Sequence, residues 1–525
     1  MNDQKARTTA KDISRSFIVQ APAGSGKTEL LIQRFLALLP SVEVPEQIFA
    51  ITFTRKAAAE MRGRVIDALK EGAAHAVPEE DYHRETYELA LKALAKDKTK
   101  GWALLDQPQR LKIDTLDSLN AWLAHQLPLL SGGIAGASIV EDASELYSLA
   151  ARRLVEQLGE GTVLSGAMHK LLRQGTFGIQ GLEELLSELL PTRDHWMRHL
   201  FAGDANEIVQ QLEDATRRLI DSELAVLCSK LPSQHSNELA ALLQHASQNA
   251  TRTVSLERFA PWQELEQLPP PDSHHLAAWR SITELLLTQR GGWRKQLGTI
   301  GFSTDYAGQR RRLIQLIENL SDKEDLRLAL FEVQRLPDPA LAGTHKDLLR
   351  ALRQLLPNLV GELKLLFEER NTVDFIELAL AAQTALGDAD APSELLLALD
   401  RRLQHVLVDE FQDTSYTQLK LLELLTAGWE QSDGRTLFLV GDPMQSIYRF
   451  RNADMSLFLN TKLRGIGEIR CESLTLERNF RSRPKIIKWI NKTFSQVFPE
   501  QDDPKSGEAK FNPCKWTRKH SNDEG

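Results

Sequence analysis

Two short motifs, far apart in the chain, constrain the fold most strongly. The first follows the apolar run at 17–19 and reads Ala23, Gly24, Ser25, Gly26, Lys27 and Thr28. The second is the acidic pair Asp409 and Glu410, which follows the apolar run at 406–408. A strand, a glycine-rich turn and a helix start direct backbone N–H groups at a phosphate. Together the motifs predict the two halves of a site for a magnesium-bound nucleoside triphosphate.

Each polar residue of these motifs has a predicted role. Lys27 should reach the β- and γ-phosphates, and the Thr28 hydroxyl should ligate Mg²⁺. Asp409 is the second partner for the metal, and Glu410 is placed to polarise the attacking water as a general base. Taken alone, the glycine-rich segment could be only a flexible turn, and Ala21 stands where the usual pattern has its first glycine. The strand-borne acidic pair makes the triphosphate site the better interpretation.

Composition sets the outer limits. The 525 residues are 42% hydrophobic and 26% charged, as in an ordinary soluble globular protein. A formal net charge of −8 argues against a uniformly basic nucleic-acid binder, although a local basic groove would suffice for DNA. The three cysteines have no metal-ligand spacing, and no apolar run is long enough to cross a bilayer. We therefore expect a cytoplasmic protein with no membrane contact.

The pattern along the chain changes twice. Up to about residue 130, short β-branched runs alternate with helical stretches, which predicts a parallel sheet wrapped by helices. Residues 131–374 repeat Leu and Ala at helical spacing, and strand character returns after 400. The predicted fold class is therefore α/β, with a nucleotide-binding domain at 1–130 and 375–474 interrupted by an all-helical insertion at 131–374.

Two segments before the insertion carry groups that suit a single DNA strand. Thr52, Phe53 and Thr54 lie at a predicted strand end, where hydroxyls can hold phosphates and the ring can stack on a base. Thr115 offers a further hydroxyl to the backbone. Alone, the first segment would be an ordinary strand-to-helix junction and the second a capped helix start.

Two segments after the acidic pair are more specific. The loop at 441–451 brings Gln445, a possible γ-phosphate sensor, together with Tyr448, Phe450 and Arg451, which suit DNA bases and backbone. Further on, Phe480 and Arg481 join a stacking aromatic to a cationic anion ligand.

In this order and spacing the segments resemble motifs I, Ia, Ib, II, III and IV of the UvrD/Rep-type superfamily 1A DNA helicases. The runs QAPAG at 20–24, ITFTRK at 51–56 and VDEFQDT at 408–414 are most similar to the AddA/RecB branch, which pairs a helicase with a nuclease. The resemblance spans roughly 16–491. It implies a RecA-like ATP-binding domain, with residues 475–525 as the start of a second RecA-like lobe.

The resemblance also implies a function and residue roles. The function is ATP-dependent 3′-to-5′ translocation on single-stranded DNA, in recombination and double-strand-break repair. Gln445 and Arg481 would contact the γ-phosphate, and Phe480 would stack on the adenine. Phe53, Tyr448, Phe450 and Arg451 would face the DNA. The adenine-reading glutamine has no clear match: Gln4 is poorly spaced and Arg7 lies nearer the expected place.

The printed sequence stops soon after motif IV, and motifs V and VI have no match in it. We therefore expect this polypeptide to need an AddB/RecC-like subunit or a C-terminal half, and to bind Mg·ATP weakly and hydrolyse it poorly by itself. The alternatives are an ATP-switched interaction module and a truncated, catalytically weak ATP- and DNA-binding protein. Asp347, Glu362 and Lys364 superficially fit a nuclease metal site, but their leucine-rich surroundings predict a helix instead.

Overall fold

The computed structural model describes residues 3–75, 78, 81–126, 136–159, 161–174, 178–201, 205–249, 257–297, 300, 302, 304–340, 343–388, 390–447, 453–504 and 507–517. By internal contacts the chain divides into two compact units. The first comprises 1–153, 183–197 and 360–525, and the second comprises 154–182 and 198–359. No helix among the described residues is long and apolar enough to cross a membrane.

A six-stranded parallel sheet forms the centre of the first unit. Its strands are β1 (Phe17–Gln20), β2 (Ile48–Thr52), β3 (Lys112–Thr115), β4 (His405–Val408), β5 (Thr436–Gly441) and β6 (Glu472–Thr475). Their order across the sheet is β6-β1-β5-β4-β2-β3. Since β1 and β4 are parallel and separated only by β5, the segments that follow them emerge at the same edge. The predicted fold class, a parallel sheet wrapped and interrupted by helices, is confirmed.

Helices cover both faces of the sheet, and its central strands β1, β4 and β5 are buried at every position. Phe17 and Val19 of β1 join one hydrophobic cluster, and Ile18 between them joins the cluster on the opposite face. The alternation is that of a strand with two buried sides. The predicted strands and the helices after them lie where the sequence pattern predicts them. Strand β6 was not predicted, because Leu474 is its one apolar and buried residue and the segment lacks the apolar run of a buried strand.

The α-helices of the described chain, in chain order from α1 to α20, are Asp3–Ala10, Lys27–Leu38, Arg55–Ala73, Asp81–Lys100, Leu116–Gln126, Ser144–Glu156, Val163–Gln174, Ile179–Leu189, Arg193–Phe201, Ala205–Lys230, Ser236–Asn249, Leu276–Leu286, Ala307–Leu320, Glu324–Arg335, Gly343–Arg370, Phe375–Leu386, Glu394–Arg402, Tyr416–Leu425, Met455–Arg464 and Pro484–Phe494. Short 3₁₀ turns occupy Leu39–Ser41, Pro45–Gln47, Pro108–Arg110, Leu190–Thr192, Ser233–His235, Ala260–Gln263, Ser273–His275, Thr304–Tyr306, Phe411–Asp413 and Pro443–Gln445. Two-residue strands pair Ser138–Ile139 with Thr372–Val373, Gly387–Asp388 with Ala391–Pro392, and Arg478–Asn479 with Lys515–Trp516.

The second unit is helical, as the leucine spacing predicts. One hydrophobic cluster of this unit contains Trp262 and Trp279, which are fully buried. Both indole N–H groups donate to backbone carbonyls, Trp262 to Ala278 at 3.2 Å and Trp279 to Pro270 at 3.1 Å. Buried polar groups are therefore satisfied where these rings pack.

The first compact unit includes parts of the predicted insertion together with the sheet. Residues 136–153, 183–197 and 360–374 belong to the first unit, although all lie within 131–374. A buried polar network explains the difference: Arg193 donates to both carboxylate oxygens of Asp374, at 2.5 and 2.7 Å, and Tyr147 donates to the same group at 2.7 Å. The helix predicted around Asp347, Glu362 and Lys364 is confirmed, since all three lie on α15. Lys364 forms an ion pair with Glu377 at 3.0 Å.

Candidate active site

The glycine-rich loop connects β1 to α2 at the carboxyl edge of the sheet. It is anchored by the Ala21 N–H, which donates to the Gly441 carbonyl of β5 at 2.9 Å. Gly24 and Gly26 have φ of 74° and 81°, values in the left-handed region that favours glycine. Gly26 is the residue immediately before α2, whose free N–H groups suit an anion.

A buried hydroxyl group in the loop also fits a bound triphosphate. The Ser25 hydroxyl is fully buried and has no hydrogen-bond partner among the described residues. A buried unpaired hydroxyl costs about 1–3 kcal/mol, so a ligand that supplies a partner at this loop gains affinity. Lys27 and Thr28 follow directly and are half-buried.

Across the sheet edge, Glu410 pairs with the Lys27 ammonium. Glu410 Oε2 lies 2.8 Å from Lys27 Nζ. This carboxylate is the counter-ion of Lys27, so a bound phosphate would compete with it for the same ammonium. The predicted convergence of the two motifs is therefore present: Thr28 follows β1 and Asp409 follows β4 in one sheet.

The acidic pair is held in an unusual backbone geometry. Glu410 has φ 51° and ψ 42°, a left-handed conformation that costs a non-glycine residue about 1–3 kcal/mol. The Asp409 N–H donates to the Ile51 carbonyl of β2 at 2.8 Å. Burial, together with the negative charge of Glu410, raises the pKa of Asp409 to about 6. A divalent cation would remove this penalty, so the donor set fits Mg²⁺.

Gln412 connects the acidic pair to the loop after β5, a role that sequence reasoning missed. Its amide nitrogen donates to Glu410 at 2.9 Å and to Asp413 at 3.1 Å. Its amide oxygen accepts from the Asp442 N–H at 2.8 Å. Gln445, the predicted γ-phosphate sensor, donates to the Asp442 carboxylate. The structure thus brings Gln445 to the rim of the site, and three hydrogen bonds connect it to Glu410 through Asp442 and Gln412.

The segment after β6 closes the other side of the glycine-rich loop. The Phe480 N–H donates to the Gly24 carbonyl at 2.8 Å, and the Asn479 amide donates to the Ala23 carbonyl at 2.8 Å. Asn479 also accepts from the Arg481 N–H at 2.9 Å. Phe480 and Arg481 therefore lie against the loop, and the Phe480 side chain is 43% exposed. The bridging role of Asn479 was not predicted.

Of the two residues considered for the open position near the N-terminus, Arg7 is the one that contacts the glycine-rich loop. Its Nη2 donates to the Ser25 carbonyl at 2.5 Å, and its guanidinium carbon lies 5.3 Å from the Phe480 ring centroid. Gln4, the other candidate, is exposed on α1. A helix pattern alone could not single out Arg7, because its partners come from two distant loops.

The predicted DNA residues divide into two groups. Thr54 Oγ1 accepts from the Ala57 N–H at 3.1 Å, and Thr115 Oγ1 accepts from the Ser118 N–H at 3.1 Å. These hydroxyls cap helices in this structure, as the simpler interpretation had it. Tyr448, Phe450 and Arg451 lie outside the described residues.

Thr52 and Phe53 face a cavity of about 610 Å³ that Asp409 and Glu410 also line. Seven carboxylates border this cavity, and no described Lys, Arg or His does. Such a surface repels a phosphodiester backbone, so Phe53 is suited to contact a base and not the sugar-phosphate chain.

A parallel sheet with a glycine-rich phosphate loop on one strand and an Asp-Glu pair on another defines a P-loop nucleoside triphosphatase. The chain belongs to the UvrD/REP helicase family: the UvrD/REP helicase N-terminal domain matches residues 1–464. The resemblance found in the sequence motifs is thereby confirmed.

Three similar proteins align with most of the chain. One from Lysinibacillus sphaericus, named as a subunit of an ATP-dependent helicase/nuclease, is 28% identical over 517 residues, 92% of this chain and 39% of the relative. The protein of the same name from Desulfitobacterium hafniense is 28% identical, covering 95% of this chain and 36% of its own length. That of Latilactobacillus sakei is 26% identical, with 92% and 53% covered. The chain thus spans between about a third and a half of these relatives.

Proposed function

We propose that this chain is the ATP-binding part of an ATP-dependent DNA helicase that translocates 3′ to 5′ on single-stranded DNA in recombination and double-strand-break repair. The observation that carries the proposal is the 2.8 Å contact between Lys27 and Glu410 at one sheet edge. A cation for the phosphates and a carboxylate for the attacking water are the minimum that triphosphate hydrolysis needs from the protein.

The roles of the site residues follow from their positions. Lys27 binds the β- and γ-phosphates, while Thr28 and Asp409 hold Mg²⁺, which neutralises charge on the phosphates when bound. Nucleotide binding draws Lys27 away from Glu410, and the released carboxylate then orients a water molecule. Ala23, Gly24, Ser25 and Gly26 supply the cradle. The buried Ser25 hydroxyl, which has no hydrogen-bond partner in the described part of the chain, supports a ligand at this loop.

Residues on the rim respond to the nucleotide. Arg481 and Gln445 reach the γ-phosphate, and the exposed ring of Phe480 stacks on the base. Gln445 already contacts Asp442, which Gln412 joins to Glu410. This chain of hydrogen bonds supports a coupling between phosphate occupancy and the loop after β5, which leads to the predicted DNA residues Tyr448, Phe450 and Arg451.

DNA binding is the second element of the proposal. Phe53 shares a cavity with Asp409 and Glu410, so a base that enters there would lie near the hydrolytic carboxylates. Thr52, Thr54 and Thr115 border the same edge of the sheet. The relatives are named as subunits of a helicase/nuclease, which supports an assembly of several chains, and we propose an AddB/RecC-like partner.

The test is fluorescence anisotropy with labelled single-stranded DNA, with and without Mg²⁺ and a non-hydrolysable ATP analogue. We expect Mg²⁺-dependent nucleotide binding that Lys27→Ala abolishes, and DNA affinity that changes when the analogue binds. Phe53→Ala should weaken DNA binding and leave nucleotide binding intact. A Lys27→Ala protein that binds the analogue normally would refute the nucleotide site. A DNA affinity that responds neither to the analogue nor to Phe53→Ala would refute the helicase proposal.

A further inference from the structure

Helix α10 (Ala205–Lys230), in the second unit, carries a row of exposed apolar side chains along one side. The α10 stripe consists of Leu212, Leu219 and Val226, which are 42%, 50% and 41% exposed. We propose that the stripe is a self-association surface, on which α10 of one copy of the chain packs in parallel against α10 of a second copy. Pairing through this surface requires neither nucleotide nor DNA.

The stripe lies on a different side of α10 from the residues that face the core. Ile220, Leu224 and Leu227 are fully buried in the hydrophobic cluster of the second unit. At about 100° per residue, the line through Leu219 and Val226 lies about 120° around the helix from these three residues. Single exposed apolar residues are ordinary on a protein surface. A row of them on a second side of one helix is suited to contact another helix.

The spacing within the α10 stripe is that of a seam between two helices. Its members are seven residues apart, so they occupy the a position of successive heptads. The d positions hold the small, exposed residues Ala215, Ser222 and Ser229, which let two backbones approach closely. The Ser229 hydroxyl already donates to the Val226 carbonyl at 2.7 Å, so its pairing does not depend on solvent.

Two charges flank the stripe and decide the orientation of the copies. Arg218 lies at position g, and Glu223 lies at position e of the next heptad. Neither forms an ion pair with another residue that the structure describes. In a parallel pair, position g of one helix faces position e of the next heptad on the other helix. Arg218 of each copy therefore faces Glu223 of the other, and two-fold symmetry makes this contact twice.

An antiparallel pair offers no such match. Reversing one helix brings g beside g and e beside e, so neither Arg218 nor Glu223 meets its opposite charge. The charges thus favour the parallel arrangement. A contact along one helix is smaller than a standard interface, which is typical of transient association. We expect a Kd for the dimer on the order of 10–100 µM.

Sedimentation equilibrium of the whole chain tests the inference, over about 1–300 µM so that the range brackets the expected Kd. The unmodified chain should pass from monomer to dimer across this range. Leu219→Glu places a charge in the centre of the stripe and should leave the chain monomeric throughout. Val163→Glu is the matched control, because Val163 is 73% exposed on α7 of the same unit. This change should leave the dimer intact.

Charge reversal tests the parallel orientation. Arg218→Glu and Glu223→Arg each put like charges opposite one another at both contacts, so each should weaken the dimer by about tenfold. An equimolar mixture of the two variants restores opposite charges and should associate as tightly as the unmodified chain. Misfolding cannot produce this result, since mixing does not repair a misfolded variant. Arg290→Glu, at an exposed site of the same unit, should leave the Kd unchanged.

Four results would overturn the inference. The first is a chain that stays monomeric at the highest concentration, and the second is a dimer that Leu219→Glu leaves intact. The third is a mixture of the charge variants that associates no better than either variant alone. The fourth is a monomeric chain in which Leu219→Glu abolishes binding of the proposed AddB/RecC-like subunit, because the stripe would then belong to that partner.

Discussion

Lys27 and Glu410 are 383 positions apart in the chain, yet their side chains meet at 2.8 Å. The Lys27 side chain is 12% exposed and that of Glu410 is 37% exposed, so the pair lies at the boundary between the sheet edge and solvent. Glu410 Oε2 also accepts from Gln412 at 2.9 Å. In the proposed function a phosphate binds Lys27, so nucleotide binding and the release of the Glu410 carboxylate would be a single event.

Glu410→Gln should separate binding from hydrolysis. The amide keeps the shape of the side chain, but it cannot take a proton and holds Lys27 less tightly. We expect nucleotide affinity to stay the same or improve, because the competing carboxylate is gone. Hydrolysis should fall by about 10²–10⁴-fold, the usual contribution of a general base. Calorimetry with the non-hydrolysable ATP analogue and a phosphate-release assay with single-stranded DNA give the two numbers.

The control for this prediction is Glu430→Gln, which removes a carboxylate from an exposed position after α18. It should change neither the nucleotide affinity nor the rate of hydrolysis. A Glu410→Gln protein that loses nucleotide affinity as severely as hydrolysis would show that Glu410 holds the ligand, and would contradict its role as the base.

Gly24→Ala should open the site without replacing any charged residue. Gly24 has φ 74°, and a Cβ there would lie 2.8 Å from Arg481 Cβ and 2.9 Å from Asn479 Oδ1. The segment that carries Phe480 and Arg481 must then move away from the glycine-rich loop. We expect triphosphate affinity to fall by at least tenfold, measured by calorimetry, together with a loss of stability of about 1–3 kcal/mol from backbone strain.

Gly434→Ala is a close control, because Gly434 has φ 95° and open space around the Cβ position. It carries the same kind of backbone strain and no clash. Its stability should fall comparably while nucleotide affinity stays unchanged. Equal affinity losses in the two variants would mean that strain, and not the contact with Arg481, decides binding.

The sequence predicted the sheet and the acidic and phosphate-binding motifs because those features are local. Apolar β-branched runs mark strands such as Phe17–Gln20, and parallel pairing then brings their carboxyl ends together. Lys27, Asp409 and Glu410 could be placed at one sheet edge for that reason. Arg7 could not, since its contacts to Ser25 and Phe480 depend on how three separate segments pack.

The grouping of residues 183–197 and 360–374 with the sheet has no signature in the sequence. Arg193 and Asp374 are 181 positions apart and look like surface charges in the sequence, yet both are buried. No periodic pattern indicates a partner at such a distance. The predicted ranges, 1–130 and 375–474 for the nucleotide-binding domain and 131–374 for the insertion, therefore stay a prediction.

The pair Arg193 and Asp374 should be among the most costly to break. The Arg193 side chain is fully buried, and Tyr147 and Glu377 lie beside it in the same network. Arg193→Met leaves Asp374 buried without its cation, which typically costs about 3–5 kcal/mol. We expect a loss of this size in the free energy of unfolding, measured by urea titration followed by circular dichroism. Adding Asp374→Leu should recover part of the loss, because no uncompensated charge then remains.

Arg153→Met is the surface counterpart of this change. Arg153 pairs with Glu369 at 2.7 Å, but the side chains are 36% and 54% exposed. Its removal should cost less than about 1 kcal/mol. Similar losses for Arg193→Met and Arg153→Met would show that burial does not set the strength of the first pair.

His405 should make the protein sensitive to mild acid. It begins β4, is buried, and its Nδ1 lies 2.8 Å from the Thr436 hydroxyl. Burial, helped by the nearby positive charge of Arg34, lowers the pKa of His405 from 6.5 to about 4. The unfolded chain therefore takes up a proton as the pH falls below about 6.5, whereas the folded protein resists until about 4. The contribution of neutral His405 is complete above pH 6.5 and is lost as the pH falls toward 4.

That linkage amounts to about 2–3 kcal/mol over the interval. His405→Gln can keep a hydrogen bond to Thr436 and does not titrate, so its stability should decline less between pH 7 and pH 4.5 than that of the unmodified chain. Urea midpoints at several pH values measure the difference, with His274→Gln, an exposed site, as the control. The stabilities of the two variants should diverge as the pH falls, because only the buried His405 binds its proton less readily in the folded protein. Parallel stability curves would mean that folding does not lower the pKa of His405.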